Sequence, residues 1–370
     1  MKEYLLNEIA LRINKLSTEM WGKEKAILII GNHPRIIETE QKLIRYAQAD
    51  QSILLTGESG VGKEIFARSI YLFSKRQGKP FISVNCAQYQ DPNLLTSELF
   101  GHKKGSFTGA HEDRKGIFKE YDNGVIFLDE IGELSAKAQG MLLRVLSEGE
   151  IKPLGGNGSI FINTQMIAAT NSNLKEMITK GTFRQDLYFR LCQLRIDIPA
   201  LRERGDDWKL LLDYYLNQLN KKYNVKKRFS KDALAYLENY HWPGNVRELK
   251  SIISIGFFSG NGEQVIKPQD FISELHQDNS RKELSQDIAK YYEKMMDDGR
   301  CFWEIVQKPY LDRELNRSQV RTIICQGLKK SSGSYKRLLK NFNIPDSQYL
   351  KFMDFLRHHK LKPQAILDRN

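Results

Sequence analysis

Ser52-Ile53-Leu54-Leu55-Thr56-Gly57-Glu58-Ser59-Gly60-Val61-Gly62-Lys63-Glu64-Ile65 decides how this chain is read. Ile53, Leu54 and Leu55 form a short apolar run that predicts a buried strand. Gly57, Gly60 and Gly62 then remove the Cβ atoms that would keep backbone N–H groups from closing around phosphate oxygens. A helix opening near Glu64 would turn its positive dipole end to the same anion, with Val61 inside the loop and Lys63 reaching the β- and γ-phosphates. Glu64 stands where Ser or Thr usually holds Mg²⁺, so the loop by itself leaves a merely structural Gly-rich turn open. A second stretch decides: Gly124-Val125-Ile126-Phe127-Leu128-Asp129-Glu130 is an apolar strand ending in two acids. That pattern places one carboxylate on Mg²⁺ and the other beside an attacking water. Together the stretches read as an ATPase that takes ATP and Mg²⁺.

The rest of the composition fits a globular protein of two or three units: 370 residues, 41% hydrophobic, with a net charge of +12. The charge favours a polyanionic partner, and it is uneven. Residues 321–370 carry eleven Lys and Arg against three Asp and Glu, so nucleic acid is expected to be held there. Cys86, Cys192, Cys301 and Cys325 have no paired spacing, which argues against a zinc site or disulfide framework and suits a reducing cytoplasm. No apolar run approaches the ~20 residues of a membrane span, so a soluble cytoplasmic protein is expected.

Along the chain, Leu5, Leu6, Ile9, Ile13 and Leu16 predict an amphipathic helix within residues 1–27. Packing on its own domain is favoured over docking a regulator. Strands are predicted at 81–84, 125–128, 165–169 and 191–198, alternating with helices, which implies a mostly parallel sheet covered on both faces. Residues 201–275 read as a helical lid, in which Trp242-Pro243-Gly244-Asn245 is a turn with Asn245 as N-cap of the next helix. Between the second and third strands, Gly105-Ser106-Phe107-Thr108-Gly109-Ala110 sets an aromatic on a Gly-flanked loop. It either contacts a partner or tucks back into the fold.

That loop resembles the signature of the AAA+ domain of bacterial enhancer-binding proteins, the ATPases that remodel RNA polymerase carrying sigma-54, with Ser106 in place of the usual Ala. Residues 57–64 are similar to the family's phosphate loop, including its final Glu. The resemblance spans roughly residues 28–275. It implies an AAA+ α/β core at 28–200 with a lid at 201–275, with Gly105, Ser106, Phe107, Thr108, Gly109 and Ala110 as the sigma-factor contact. By position it also implies that Asp129 coordinates Mg²⁺, Glu130 polarises water, Asn85 is the switch partner of that glutamate and Asn171 senses the γ-phosphate. Arg184 and Arg190 would act as arginine fingers in a neighbour's site, which implies a hexamer, and Arg247 as a second sensor. From the residues alone, Asn85 would only cap a turn, and the arginines would be solvated.

Residues 276–318 read as a linker with some helix. Three short helices follow in 319–370, near 319–330, 334–341 and 347–358, and they are similar in layout to a Fis-type helix-turn-helix. The last helix departs from that pattern: Gln348, Tyr349, Lys351, Phe352, Asp354 and Phe355 make it aromatic and weakly basic, so DNA contact and a protein-binding unit both stay open. The expected function is ATP-driven activation of sigma-54 promoters from an upstream DNA site, with no membrane role. The alternative is a general AAA+ remodeller with a basic nucleic-acid-binding tail. No receiver domain precedes residue 28, so control is expected from another protein, expression level or the first helix.

Overall fold

The computed structural model describes residues 6–89, 91–106, 110, 112–156, 158–259, 263–273, 295, 299–312, 315, 317–331, 334–359 and 361. Two compact units divide the chain, Met1–Asp270 and Phe271–Asn370.

In the first unit, five strands form one parallel sheet: β1 Ile53–Thr56, β2 Phe81–Asn85, β3 Val125–Asp129, β4 Gln165–Thr170 and β5 Leu194–Asp197, in the order β2-β3-β4-β1-β5. The fold class is as expected from the sequence. The inner strands β1, β3 and β4 are apolar and buried almost throughout, because both of their faces are covered. On one face, Leu54, Ile126, Leu128 and Met166 join Leu99, Leu142 and Leu187 from helices α4 (Pro92–Phe100), α5 (Ala136–Glu148) and α6 (Gln185–Leu191). The alternate residues Ile53, Leu55, Phe127 and Ile167 are buried too, on the side where α3 (Lys63–Phe73) packs. Helix α1 (Glu8–Trp21) lies against α2 (Pro34–Ala47) and α3 and buries Ala10 and Ile13, so it packs on its own domain.

One strand boundary differs from expectation. Residues 191–198 are not strand throughout: Leu187 and Leu191 bury one face of α6 at helical spacing, and the strand begins at Leu194.

The lid comprises α7 Asp207–Tyr223, α8 Lys231–Glu238 and α9 Asn245–Ser259, with α7 packed on α9 and a short parallel pair, Arg228–Phe229 with Val265–Ile266. Trp242 anchors it, buried between Trp208 and Tyr240.

The second unit contains α10 Arg317–Lys330, α11 Tyr335–Asn341 and α12 Tyr349–His358. Part of the expected linker belongs to this unit's core. Phe302, Ile305, Val306 and Leu315 cluster with Leu338, Leu339, Phe352 and Leu356; Phe302 stacks on Phe342 at 5.2 Å and meets Phe352 edge-on. An apolar helical face at 302–306, which includes a π-helical turn at Trp303–Gln307, is buried instead of solvated. The aromatic character of α12 has the same cause: Phe352 and Phe355 point inward, leaving Lys351, Asp354 and Arg357 exposed. Gly327 permits the close crossing of α10 and α11, since a Cβ there would lie 2.4 Å from Leu338.

Candidate functional site

The strand order brings three carboxyl ends side by side. The loop after β1 carries Gly57 to Lys63, β4 between them ends at Thr170 before Asn171, and β3 ends in Asp129 and Glu130. A crevice at such a point is where open α/β sheets take ligands. Here it is a cavity of about 520 Å³, lined at one end by Lys63, Asp129 and Glu130 and elsewhere by Leu28, Ile30 and Tyr215, among others. Ser59, Gly60, Val61, Gly62 and Glu64 also line it, as does Arg247 from the lid. An apolar wall with a cationic, Gly-rich end suits a purine base and its phosphates.

Lys63, the first residue of α3, is almost fully buried, and its Nζ donates to Gly57 O at 3.0 Å and Glu58 O at 3.4 Å. It lies 3.6 Å from Glu130 Oε1. Burial, together with the neighbouring Glu130 carboxylate, raises the pKa of Asp129, against the pull of Lys63. Excess negative charge in a half-buried place favours a cation. No cluster of three or more acid, His or Cys ligands occurs among the described residues. Two neighbouring carboxylates are a donor set that could hold Mg²⁺, which takes one or two carboxylates and fills its shell with phosphate oxygens and water. Glu64 faces away from this role, its carboxylate bound to Arg68 at 3.1 and 3.0 Å.

Glu130 sits in the left-handed region at φ 53, an uncommon conformation for a non-glycine residue, and its Oε2 accepts from Asn171 N at 3.2 Å. Asn85 lies beside Asp129 in the register of β2 and β3. Its side-chain oxygen accepts from Ala87 N at 2.9 Å, capping the following turn, and among the described residues no hydrogen bond joins it to Glu130.

Away from the cavity, Arg184, just before α6, is exposed and forms a two-point pair with Asp186 at 3.0 and 2.8 Å; Arg190 is exposed on α6. The structure does not bring either arginine to the cavity of its own chain. Phe107, Thr108 and Gly109 lie outside the described residues. The base of their loop is built: Gly101–His102 pairs with Arg114–Lys115, Gly105 N donates to Ala110 O at 2.8 Å, and Lys103 N donates to Leu154 O at 2.9 Å. Ser106 N donates to Lys103 O, while its buried Oγ has no hydrogen-bond partner.

Several cavity residues escaped the sequence reading. Leu28, Ile29 and Ile30 line the cavity although their local sequence carries no mark of a binding role, and Arg204 lines it while donating to Pro199 O at 3.0 and 2.7 Å. Asn245 is not an N-cap. Its side chain is fully buried against the phosphate loop, and the Glu248 carboxylate instead accepts from Gly244 N at 2.7 Å.

Residues 29–197 match the sigma-54 interaction domain family, and residues 202–288 match an AAA+ ATPase lid domain. The chain is 34% identical over 357 residues to the anaerobic nitric oxide reductase transcription regulator NorR of Aliivibrio fischeri, covering 94% of this chain and 68% of that protein. The chain belongs to the sigma-54-dependent enhancer-binding family. It is 44% identical over 240 residues to the nitrogen fixation protein VnfA of Azotobacter vinelandii, covering 65% of this chain and 46% of VnfA. It is also 44% identical over 226 residues to the transcriptional regulatory protein GlrR of Escherichia coli, covering 61% of this chain and 51% of GlrR. The chain thus spans about half the length of several curated relatives that it matches. Among solved structures, NtrX from Brucella abortus in complex with ATP superposes with a TM-score of 0.61 at 25% identity, covering 89% of this chain and 69% of that one. No helix among the described residues is long and apolar enough to cross a membrane.

Proposed function

We propose that this chain hydrolyses ATP in the cavity above and uses the energy to remodel RNA polymerase carrying sigma-54. The observation that carries the reading is the convergence of Lys63, Asp129 and Glu130 at the Gly-rich end of one cavity, in a chain of this family. Lys63 Nζ would exchange the Gly57 and Glu58 carbonyls for β- and γ-phosphate oxygens. Its move away from Glu130 would release that carboxylate to accept a proton from water as the water oxygen bonds the γ-phosphorus and the bond to the β-γ bridging oxygen breaks. Asp129 would hold Mg²⁺, which when bound neutralises charge on the phosphate oxygens. Asn171, whose N–H already meets Glu130, would register the γ-phosphate. Asn85 can serve as switch partner by turning its amide from Ala87 toward Glu130. Arg247 would touch the nucleotide from the lid.

Arg184 and Arg190, exposed and away from their own cavity, would serve a neighbouring copy in a ring, a hexamer as in the family. Arg184 must then leave Asp186. Residues 105–110 would press on sigma-54, and the second unit would hold upstream DNA through the exposed Lys336, Arg337, Lys340, Lys351 and Arg357. In this reading the protein works in the cytoplasm.

Glu130→Gln tests the chemistry. It should bind a fluorescent ATP analogue about as well as the unmodified protein while hydrolysis falls by ~10²-fold or more, the weight of a general base. Most of the turnover surviving in that variant would refute the assignment.

A further inference from the structure

Asn245 holds three segments together with one side chain. It is fully buried at the start of α9, in the left-handed conformation at φ 54 that Asn tolerates better than most residues. Its Oδ1 accepts from Leu201 N at 2.8 Å, in the turn after β5. Its Nδ2 donates to Glu58 Oε2 at 3.1 Å and to Ser59 O at 3.0 Å, both in the phosphate loop. Both amide protons are therefore spent on the loop. Glu58 is gripped from the other side by Arg202, whose guanidinium meets both carboxylate oxygens.

The surrounding packing leaves the lid turn little independent movement. A Cβ on Gly60 would lie 2.2 Å from Gly244 O, so the two backbones are already in contact. Arg247, two residues beyond Asn245 on the same helix, donates to Ser59 Oγ at 3.0 Å. Any shift of Ser59 and Gly60 as they close on phosphates must move α9 with it or break the hydrogen bonds donated by the Asn245 amide.

We propose that Asn245 is the positioning residue through which α9 and the rest of the lid follow the conformation of the phosphate loop. The inference rests on the nucleotide reading above. Arg247 would report the nucleotide to the lid directly; Asn245 reports the loop that holds it.

The test is amide hydrogen exchange of the full chain with and without a non-hydrolysable ATP analogue, on three proteins. In the unmodified protein the analogue should slow exchange both in residues 57–65 and in α9. Asn245→Asp keeps the acceptor for Leu201 N but removes both donors and sets a second carboxylate beside Glu58. It should keep protection of the loop, lose protection of α9, and bind the analogue about tenfold more weakly, the scale of one lost hydrogen bond to a charged group. Glu58→Gln combined with Asn245→Asp removes the like-charge contact and supplies an amide donor from the other side, and it should recover α9 protection. Nucleotide-induced protection of α9 in Asn245→Asp equal to that in the unmodified protein would overturn the proposal, as would a double variant no better than the single. Absence of any protection in the unmodified protein would overturn the nucleotide reading itself, and this inference with it.

Discussion

Glu40→Gln isolates the electrostatics of a carboxylate that the fold buries near Arg204. Glu40 on α2 is fully buried. Burial pushes its pKa from 4.5 up to about 7; a hydrogen bond from Asn7 and the charge of Arg204 offset part of the rise, and Asp207 adds to it. The folded chain therefore holds a proton between pH 4.5 and 7 that the unfolded chain releases. Stability falls as pH rises through that window, and the loss is complete above pH 7. At ~1.4 kcal/mol per pH unit, the full rise corresponds to about 3 kcal/mol. Glutamine has no such proton to lose. Urea unfolding of the two proteins, followed by tryptophan fluorescence, reads this directly, because Trp21, Trp208 and Trp242 lie in the same unit as Glu40. Between pH 5 and pH 8 the unfolding free energy of Glu40→Gln should gain roughly 2–3 kcal/mol relative to the unmodified protein. Comparing two pH values cancels the pH-independent cost of fitting the amide. A relative stability equal at both pH values, or lower at pH 8, would show that Glu40 is ionised in the folded state, and the argument would fail.

Arg184→Ala and Lys63→Ala should each be nearly inactive alone yet regain ATP turnover when mixed, because in the proposed ring a mixed assembly would pair an intact finger with an intact cavity; no recovery in demonstrated mixed oligomers would rule out a shared site. Phe107→Ala and Thr108→Ala should keep near-normal ATP turnover and lose promoter opening, and normal opening by both would remove the loop from the coupling path. Phe302→Ala should destabilise the second unit by ~3–5 kcal/mol in its own unfolding transition while ATP turnover persists, since Phe302 is fully buried among Phe342, Phe352 and Phe355. A second unit of unchanged stability would mean that residues near 302 are not part of its core.

What the sequence made legible is local chemistry. Asp129 and Glu130 directly follow an apolar run, and Lys63 follows one across a single Gly-rich loop, so strand, turn and functional group are written next to one another. The lid's grip on the phosphate loop is not written that way. Glu58 and Arg202 are 144 positions apart, and Asn245 meets Glu58 across 187; a buried Asn after Pro-Gly has the same local signature as an N-cap. Glu40 reads as a solvated helix residue until its burial is known. Phe302 and Trp303 sit in a charged stretch, so their place in a core was hidden by their neighbours. In the last helix the aromatics at 352 and 355 obscured the exposed cations, and only packing separates the two faces. The misplaced strand start at Leu191 is the ordinary ambiguity of a short apolar run between helix and strand.

Engagement of sigma-54 is proposed to depend on nucleotide chemistry in this cavity. It is tested most directly by trapping the purified chain with ADP and a γ-phosphate transition-state mimic, mixing it with isolated sigma-54, and resolving the products on a native gel. A comigrating complex is expected with the unmodified protein in the trapped state and none with Lys63→Ala. Free sigma-54 in every lane, although the trapped nucleotide is shown to be bound, would contradict it.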